Sequence, residues 1–138
     1  NIFFIVSAYI NHYNFSDMRD IKSVEILDNL LNQLNYILDS FYKNKIVYFD
    51  LNQKNIIIEK KTWLIKVIDY DTLFYGQKDF KINFQSFLHT KEGRTCIYDD
   101  VYTVVWYLKK YKNNLIYNLD NYKKLISKIG RFVYKVEI

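Results

Sequence analysis

The chain has 138 residues, half of them apolar and 19% aromatic, which suits one packed domain and excludes disorder across most of its length. Its single cysteine, Cys96, excludes an internal disulfide framework and any multi-cysteine zinc site, and fits a reducing compartment. The net charge of +5 comes from scattered lysines with no arginine-rich tract or zinc-finger spacing; it reads first as a solvated basic surface, it also suits an acidic partner such as nucleotide phosphates, and it does not argue for a nucleic-acid reader.

The opening residues, Asn1-Ile2-Phe3-Phe4-Ile5-Val6, lack the basic lead and cleavage site of a signal peptide, and no apolar run approaches ~18 residues, so no membrane span is expected. A start at Asn rather than Met reads as an excerpt of a longer protein. The abundance of Lys, Asn, Ile and Tyr reads as the codon bias of an AT-rich genome, viral or parasitic, with a cytoplasmic location (host cytoplasm or nucleus if viral). Residues 2–10 read as a strand, rich in β-branched and aromatic side chains. Residues 11–16 read as a polar connector. Ser23 can cap a long helix to about Lys43, whose Val24, Leu27, Leu30, Leu31, Leu34, Ile37, Leu38 and Phe41 form one stripe at helical spacing. Asn44-Lys45 ends it.

Ile46-Val47-Tyr48 reads as a short strand and residues 49–55 as a loop. Ile56-Ile57-Ile58 and residues 64–68 read as two buried strands of a hairpin. Residues 71–97 read as mostly irregular, punctuated by Gly76 and Gly93. Asp99-Asp100 opens an apolar helix over 101–110, where acids favour the helix dipole, and Asn113-Asn114 breaks it. Asp120 can cap a last helix over 122–129, with Gly130 as its stop. Residues 132–138 fit no one element. With no proline and three glycines, the chain relies on regular elements and Asn-rich turns.

The chemistry concentrates in Tyr48-Phe49-Asp50-Leu51-Asn52-Gln53-Lys54-Asn55, then the hairpin, then Val67-Ile68-Asp69-Tyr70-Asp71. An Asp, an Asn five positions on and a second Asp past a hairpin make a constellation suited to phosphoryl transfer. One carboxylate must orient the attacking hydroxyl and take its proton. An amide oxygen and another carboxylate must hold Mg²⁺ against the phosphates, and a rigid hairpin can put all three in one cleft. The plainer reading is a turn stabilised by Asn and Asp side chains. His12 and His89 lack metal-ligand spacing. Cys96 reads as a small core residue, Trp63 and Trp106 as packing, Lys60-Lys61 as a solvated turn, and Asp71 as a loop acid or a second metal ligand.

In order and content these segments resemble the C-terminal lobe of a eukaryotic-type protein kinase. The resemblance implies an α+β fold, mainly α, spanning residues 1–138: a hinge strand over 1–10 and the lobe over 11–138, with the N-lobe mostly absent and its strands expected before Asn1. It implies Asp50 as catalytic base, Asn55 and Asp69 as ligands of Mg²⁺ (or Mn²⁺), and Tyr9 and Ile10 beside the adenine of ATP. It also implies Asp100 as a support bonding the catalytic loop from behind. Phe84-Gln85-Ser86, His89, Glu92 and Asp99-Asp100 are similar to the casein kinase 1 and vaccinia-related kinase group.

The chain departs from the pattern at Tyr48-Phe49, where the family has His-Arg, at Asn52 for Lys and at Asp71 for Gly. Loss of the Arg removes the partner of an activation-loop phosphate at Thr90 or Thr95. The implied function is ATP-dependent transfer to protein Ser or Thr hydroxyls by the complete domain, with no activity from the fragment alone. Three alternatives stand beside it. One is a small-molecule kinase of the aminoglycoside or choline phosphotransferase type, which Ile68-Asp69-Tyr70-Asp71 also resembles. Another is a pseudokinase or truncated mimic that binds another kinase or a separate N-lobe. The last is a basic nucleic-acid binder.

Overall fold

The computed structural model describes residues 11–48, 51, 53–68, 88–92 and 95–137. In chain order these form β1 (His12–Asn14), a 3-10 turn (Phe15–Asp20), α1 (Val24–Lys43), β2 (Ile56–Glu59), β3 (Ile65–Val67), β4 (Leu88–Glu92), β5 (Thr95–Tyr98), α2 (Asp100–Tyr111), a second 3-10 turn (Asn114–Ile116), α3 (Asp120–Ile126) and β6 (Tyr134–Glu137). The fold is α+β. Two antiparallel three-stranded sheets run in the orders β1-β2-β3 and β4-β5-β6. No helix among the described residues is long and apolar enough to cross a membrane. The expected hinge strand lies outside the described residues.

α1 starts where Ser23 Oγ accepts the Ile26 N–H at 3.3 Å, supplying one of the four donors a helix start leaves orphaned. Its 3.6-residue period places Leu27, Leu30, Leu31, Leu34 and Leu38 on one buried face. That face meets Ile56, Ile58, Ile65 and Val67 from the inward side of the β2–β3 hairpin, and Val101, Val104, Val105 and Leu108 from α2. The register Ile57↔Lys66 leaves the alternate positions pointing outward, as the two-residue period of a strand requires.

Several elements differ from the sequence expectation. The polar connector at 11–16 contains β1, which pairs Tyr13 with Ile58, and a 3-10 turn that buries Phe15 and Met18. Polar residues alternate there with Tyr13 and Phe15, and the signal was too short to read as a strand. Residues 88–92 and 95–98 form a hairpin within the stretch read as irregular, and 134–137 adds a third strand across it. That pairing is non-local, so no periodicity in either segment announces it. Of the expected strand 46–48, Val47 alone makes a bridge. Asp120 lies inside the first turn of α3, where Leu119 occupies the cap position without a side-chain bond, and α3 ends at Ile126.

Two polar side chains close gaps between elements. Asn113, buried, donates from Nδ2 to the carbonyls of Met18 and Ile21 at 2.8 and 2.9 Å and accepts the Leu115 N–H at 3.2 Å. Asp99 caps α2 by accepting the Val101 and Tyr102 N–H groups on Oδ1, while its Oδ2 accepts the Gly130 N–H at 2.7 Å. Gly130 holds φ at +83°, a conformation that side chains disfavour, so the turn after α3 returns to the α2 start without strain.

Candidate functional site

The site is built outward from the start of α2. Asp99 is committed to the cap, which leaves the next residue, Asp100, in the first turn with its carboxylate turned toward the segment after α1. Asp100 Oδ2 accepts the backbone N–H of Tyr48 at 2.7 Å. The chain reaches Tyr48 by a tight reversal: Asn44 Nδ2 donates to the Ser40 carbonyl at 2.8 Å, Lys45 takes φ 54°, and the Ile46 N–H bonds the Phe41 carbonyl at 2.8 Å. Val47 and Tyr48 are then buried, and the Tyr48 ring stacks on Phe41 with centroids 6.1 Å apart at 7°.

From that anchor the hydroxyl of Tyr48 donates to the Ile68 carbonyl. Ile68 is held on its other side too, because its N–H donates to the Asn55 carbonyl at 2.8 Å. This bond continues the hairpin ladder one pair beyond Ile56↔Val67. Ile68, one residue before Asp69 in the chain, is therefore joined to Asn55 through the backbone and to Tyr48, two residues before Asp50, through the tyrosine side chain. The loop between is pinned by Leu51, which is buried, and by Gln53, whose Oε1 accepts the Tyr111 hydroxyl at 3.1 Å. Burial raises the pKa of that hydroxyl well above the ordinary tyrosine value, so it stays a donor.

Of the residues expected to carry chemistry, Asn55 and Asp100 are described. Asn55 is 5% exposed at the head of β2, and Asp100 accepts the N–H of Tyr48, just before the loop. Asp50, Asp69, Tyr9 and Ile10 lie outside the described residues, as do Asn52 and Asp71. Among the described residues no three His, Cys, Asp or Glu side chains gather as a metal site. The candidate ligands are an amide oxygen and a carboxylate, hard donors whose chemistry suits Mg²⁺ or Mn²⁺.

A cleft of about 510 Å³ opens beside Ile68, walled by Ile37, Phe41 and Tyr36 of α1 and floored by Ile57 and Ile68, with the Lys66–Glu59 ion pair at its edge. It has the size and apolar lining of a small-molecule site. Ile57 and Ile68 escaped the sequence reading because an isoleucine in an apolar strand reads as core. The outward parity of residue 57, opposite the inward Ile56 and Ile58, was the available signal. Tyr48 escaped because its role lies in its hydroxyl and its backbone, while its position reads as a replaced His. Comparison with protein-family models, with curated proteins and with solved structures finds no match.

Proposed function

We propose that this chain carries the catalytic half of a phosphotransferase domain similar to a protein kinase C-terminal lobe, and that the complete domain transfers phosphate from ATP to protein Ser or Thr hydroxyls. The observation that carries the reading is the double tether of Tyr48, backbone to Asp100 and hydroxyl to Ile68. With the Asn55–Ile68 bond, it gathers the chain segments flanking Asp50, Asn55 and Asp69. A turn stabilised merely by its own Asn and Asp side chains has no need of a carboxylate supplied by α2.

In this reading Asp50 orients the acceptor hydroxyl and takes its proton. Asn55 and Asp69 would hold Mg²⁺, which when bound neutralises charge on the phosphates. Asp100 holds the loop in place through the Tyr48 N–H. Ile57 and Ile68, which line the cleft, would offer an apolar platform for the nucleotide base, and Tyr9 and Ile10 would complete the base site.

In the full-length protein, Asp50→Ala and Asp69→Ala should each lower label transfer from ATP by roughly 10²–10⁴-fold while circular dichroism stays native. Turnover near wild type in either variant would overturn the assignment. Asn52 and Asp71, which stand where the family has Lys and Gly, favour a second reading: a mimic that binds without turnover. A Mg²⁺- and ATP-dependent rise in melting temperature with no transfer would select it. The exposed wall of the cleft, where Tyr36 is 74% accessible, would then serve a partner lobe.

A further inference from the structure

We infer that Arg131 is a positioning residue: it covers a small void beside Asp100 and so keeps water away from the bond between Asp100 and Tyr48. Its value to catalysis rests on the phosphotransferase reading above, whereas the tether joins two groups seen in the structure. Arg131 lies on the turn that follows α3, and that turn is held at several points. The Gly130 N–H donates at 2.7 Å to Asp99, the chain neighbour of Asp100. Arg131 Nη2 donates at 2.8 Å to Asp39 Oδ1, an oxygen it shares with Lys128. The Arg131 guanidinium stands 4.1 Å from the centre of the Tyr42 ring. Phe132 meets the same ring edge-on, with centroids 5.9 Å apart.

Under this cover lies a cavity of about 10 Å³, lined by Arg131, Tyr42 and Phe132 together with Leu38, Phe41 and Asp100. One water needs roughly 10–15 Å³, so Arg131 and Phe132 leave room for a single water at most. Both halves of the tether border this place: Asp100 lines the cavity, and Tyr48 stacks on Phe41, which lines it too. A hydrogen bond is stronger where water is kept out. Cutting Arg131 back to Ala removes the partner of Asp39 and the cation over Tyr42 in one step. Water then reaches the Asp100 carboxylate and competes for its place on the Tyr48 N–H. Leu38 is 3% exposed, Tyr42 44% and the Arg131 side chain 29%, so the opening is on the Arg131 side.

The test is native-state amide exchange on the full-length protein, with Arg131→Ala, Arg131→Lys and Asn113→Ala beside wild type. Asn113 closes a different joint, through the Met18 and Ile21 carbonyls, and its variant shows the pattern of a global loss. Arg131→Ala should speed exchange at the Tyr48 N–H roughly 10-fold more than at Leu30, Leu31 and Val104 in the core. Asn113→Ala should speed all four alike. Arg131→Lys keeps a charge beside Asp39 and an apolar stem over the void, and should recover most of the protection that Ala loses. Arg131→Gln takes the place of Ala if that variant does not fold. A rise that is equal at all four amides, a Tyr48-selective rise in Asn113→Ala as well, or no recovery with Lys overturns the inference. Label transfer from ATP should fall in Arg131→Ala and return with Lys; transfer at the wild-type rate in Ala overturns the catalytic part. Absence of transfer in wild type removes the phosphotransferase reading instead, and the exchange pattern still decides what Arg131 does for the tether.

Discussion

Tyr48 is fully buried, yet both of its polar groups find partners in other elements: the N–H at Asp100 and the hydroxyl at the Ile68 carbonyl. Burying an amide or a hydroxyl without a partner costs free energy, so each bond is worth more for what its loss exposes than for its net gain. Asp100→Ala strands the Tyr48 N–H and should cost about 1–3 kcal/mol. Asp100→Asn keeps an oxygen acceptor and should cost less. Urea midpoints distinguish the two, and an Ala variant as stable as wild type would remove Asp100 from its supporting role. Tyr48→Phe keeps the stack on Phe41 and the bond to Asp100 while freeing Ile68. We expect a stability loss of about 1 kcal/mol. If the proposed phosphotransferase reading holds, label transfer by the protein should also fall, because Ile68, one residue before Asp69 in the chain, loses a tether.

At the scale of elements, the hairpin is useful because α1 fixes it. Gln33 of α1 donates from Nε2 to the Trp63 carbonyl and accepts the Ile65 N–H on Oε1, both at 2.7 Å. This matters because Trp63 sits at φ 59°, a left-handed conformation that costs a non-glycine residue about 1–2 kcal/mol. The stack of its indole on Tyr13, with centroids 5.1 Å apart, offsets that cost. Gln33→Leu leaves both hairpin groups unpaired and should lower stability by about 1–3 kcal/mol in denaturant titration, with the loss concentrated in amide exchange of residues 56–67. Unchanged exchange there would mean the hairpin stands without α1. The sequence made α1, the β2–β3 hairpin and the start of α2 legible, because each carries a strong local period or cap: the leucine stripe with Ser23, the isoleucine runs, and Asp99-Asp100. It did not make β1 or β6 legible, since both are short strands completed by partners distant in the chain, such as Tyr13↔Ile58 and Tyr98↔Tyr134. Within the site, the position of Asp100 was readable from its order in the chain. The Tyr48 tether and the Gln33 clamp were not, because Tyr and Gln at such positions carry no spacing signal until the fold brings their partners up.

Across the whole molecule, the two halves of the chain are joined by charge as well as by the apolar core. Asp39, on α1, accepts from Lys128 and Arg131 after α3, each at 2.8 Å. The Lys128 side chain is 7% exposed and Asp39 46%. Burial works to raise the Asp39 pKa, but the hydrogen bonds from Lys128 and Arg131 and their charges outweigh it and hold the carboxyl below its ordinary value. A group with a depressed folded pKa stabilises the fold above its unfolded value and loses that contribution as pH falls through the folded one. Stability should therefore hold between neutrality and about pH 5 and fall below about pH 4, where rising net positive charge adds self-repulsion. At the other limit, burial raises the Tyr111 and Tyr122 hydroxyls above the ordinary tyrosine value. Their contribution is complete below that value, about pH 10, and drains away as the unfolded chain ionises first. Asp39→Asn separates the acid component from the rest. It should lower stability at pH 7, because the largely buried Lys128 side chain loses the carboxylate it bonds, by about 1–3 kcal/mol given the exposure of Asp39. It should also flatten the loss between pH 5 and pH 3. Urea unfolding of wild type and variant at pH 7, 5 and 3.5 gives the comparison. Parallel pH curves for the two proteins would show that the joint between α1 and the segment after α3 is apolar, with the Asp39 cluster a surface decoration on it.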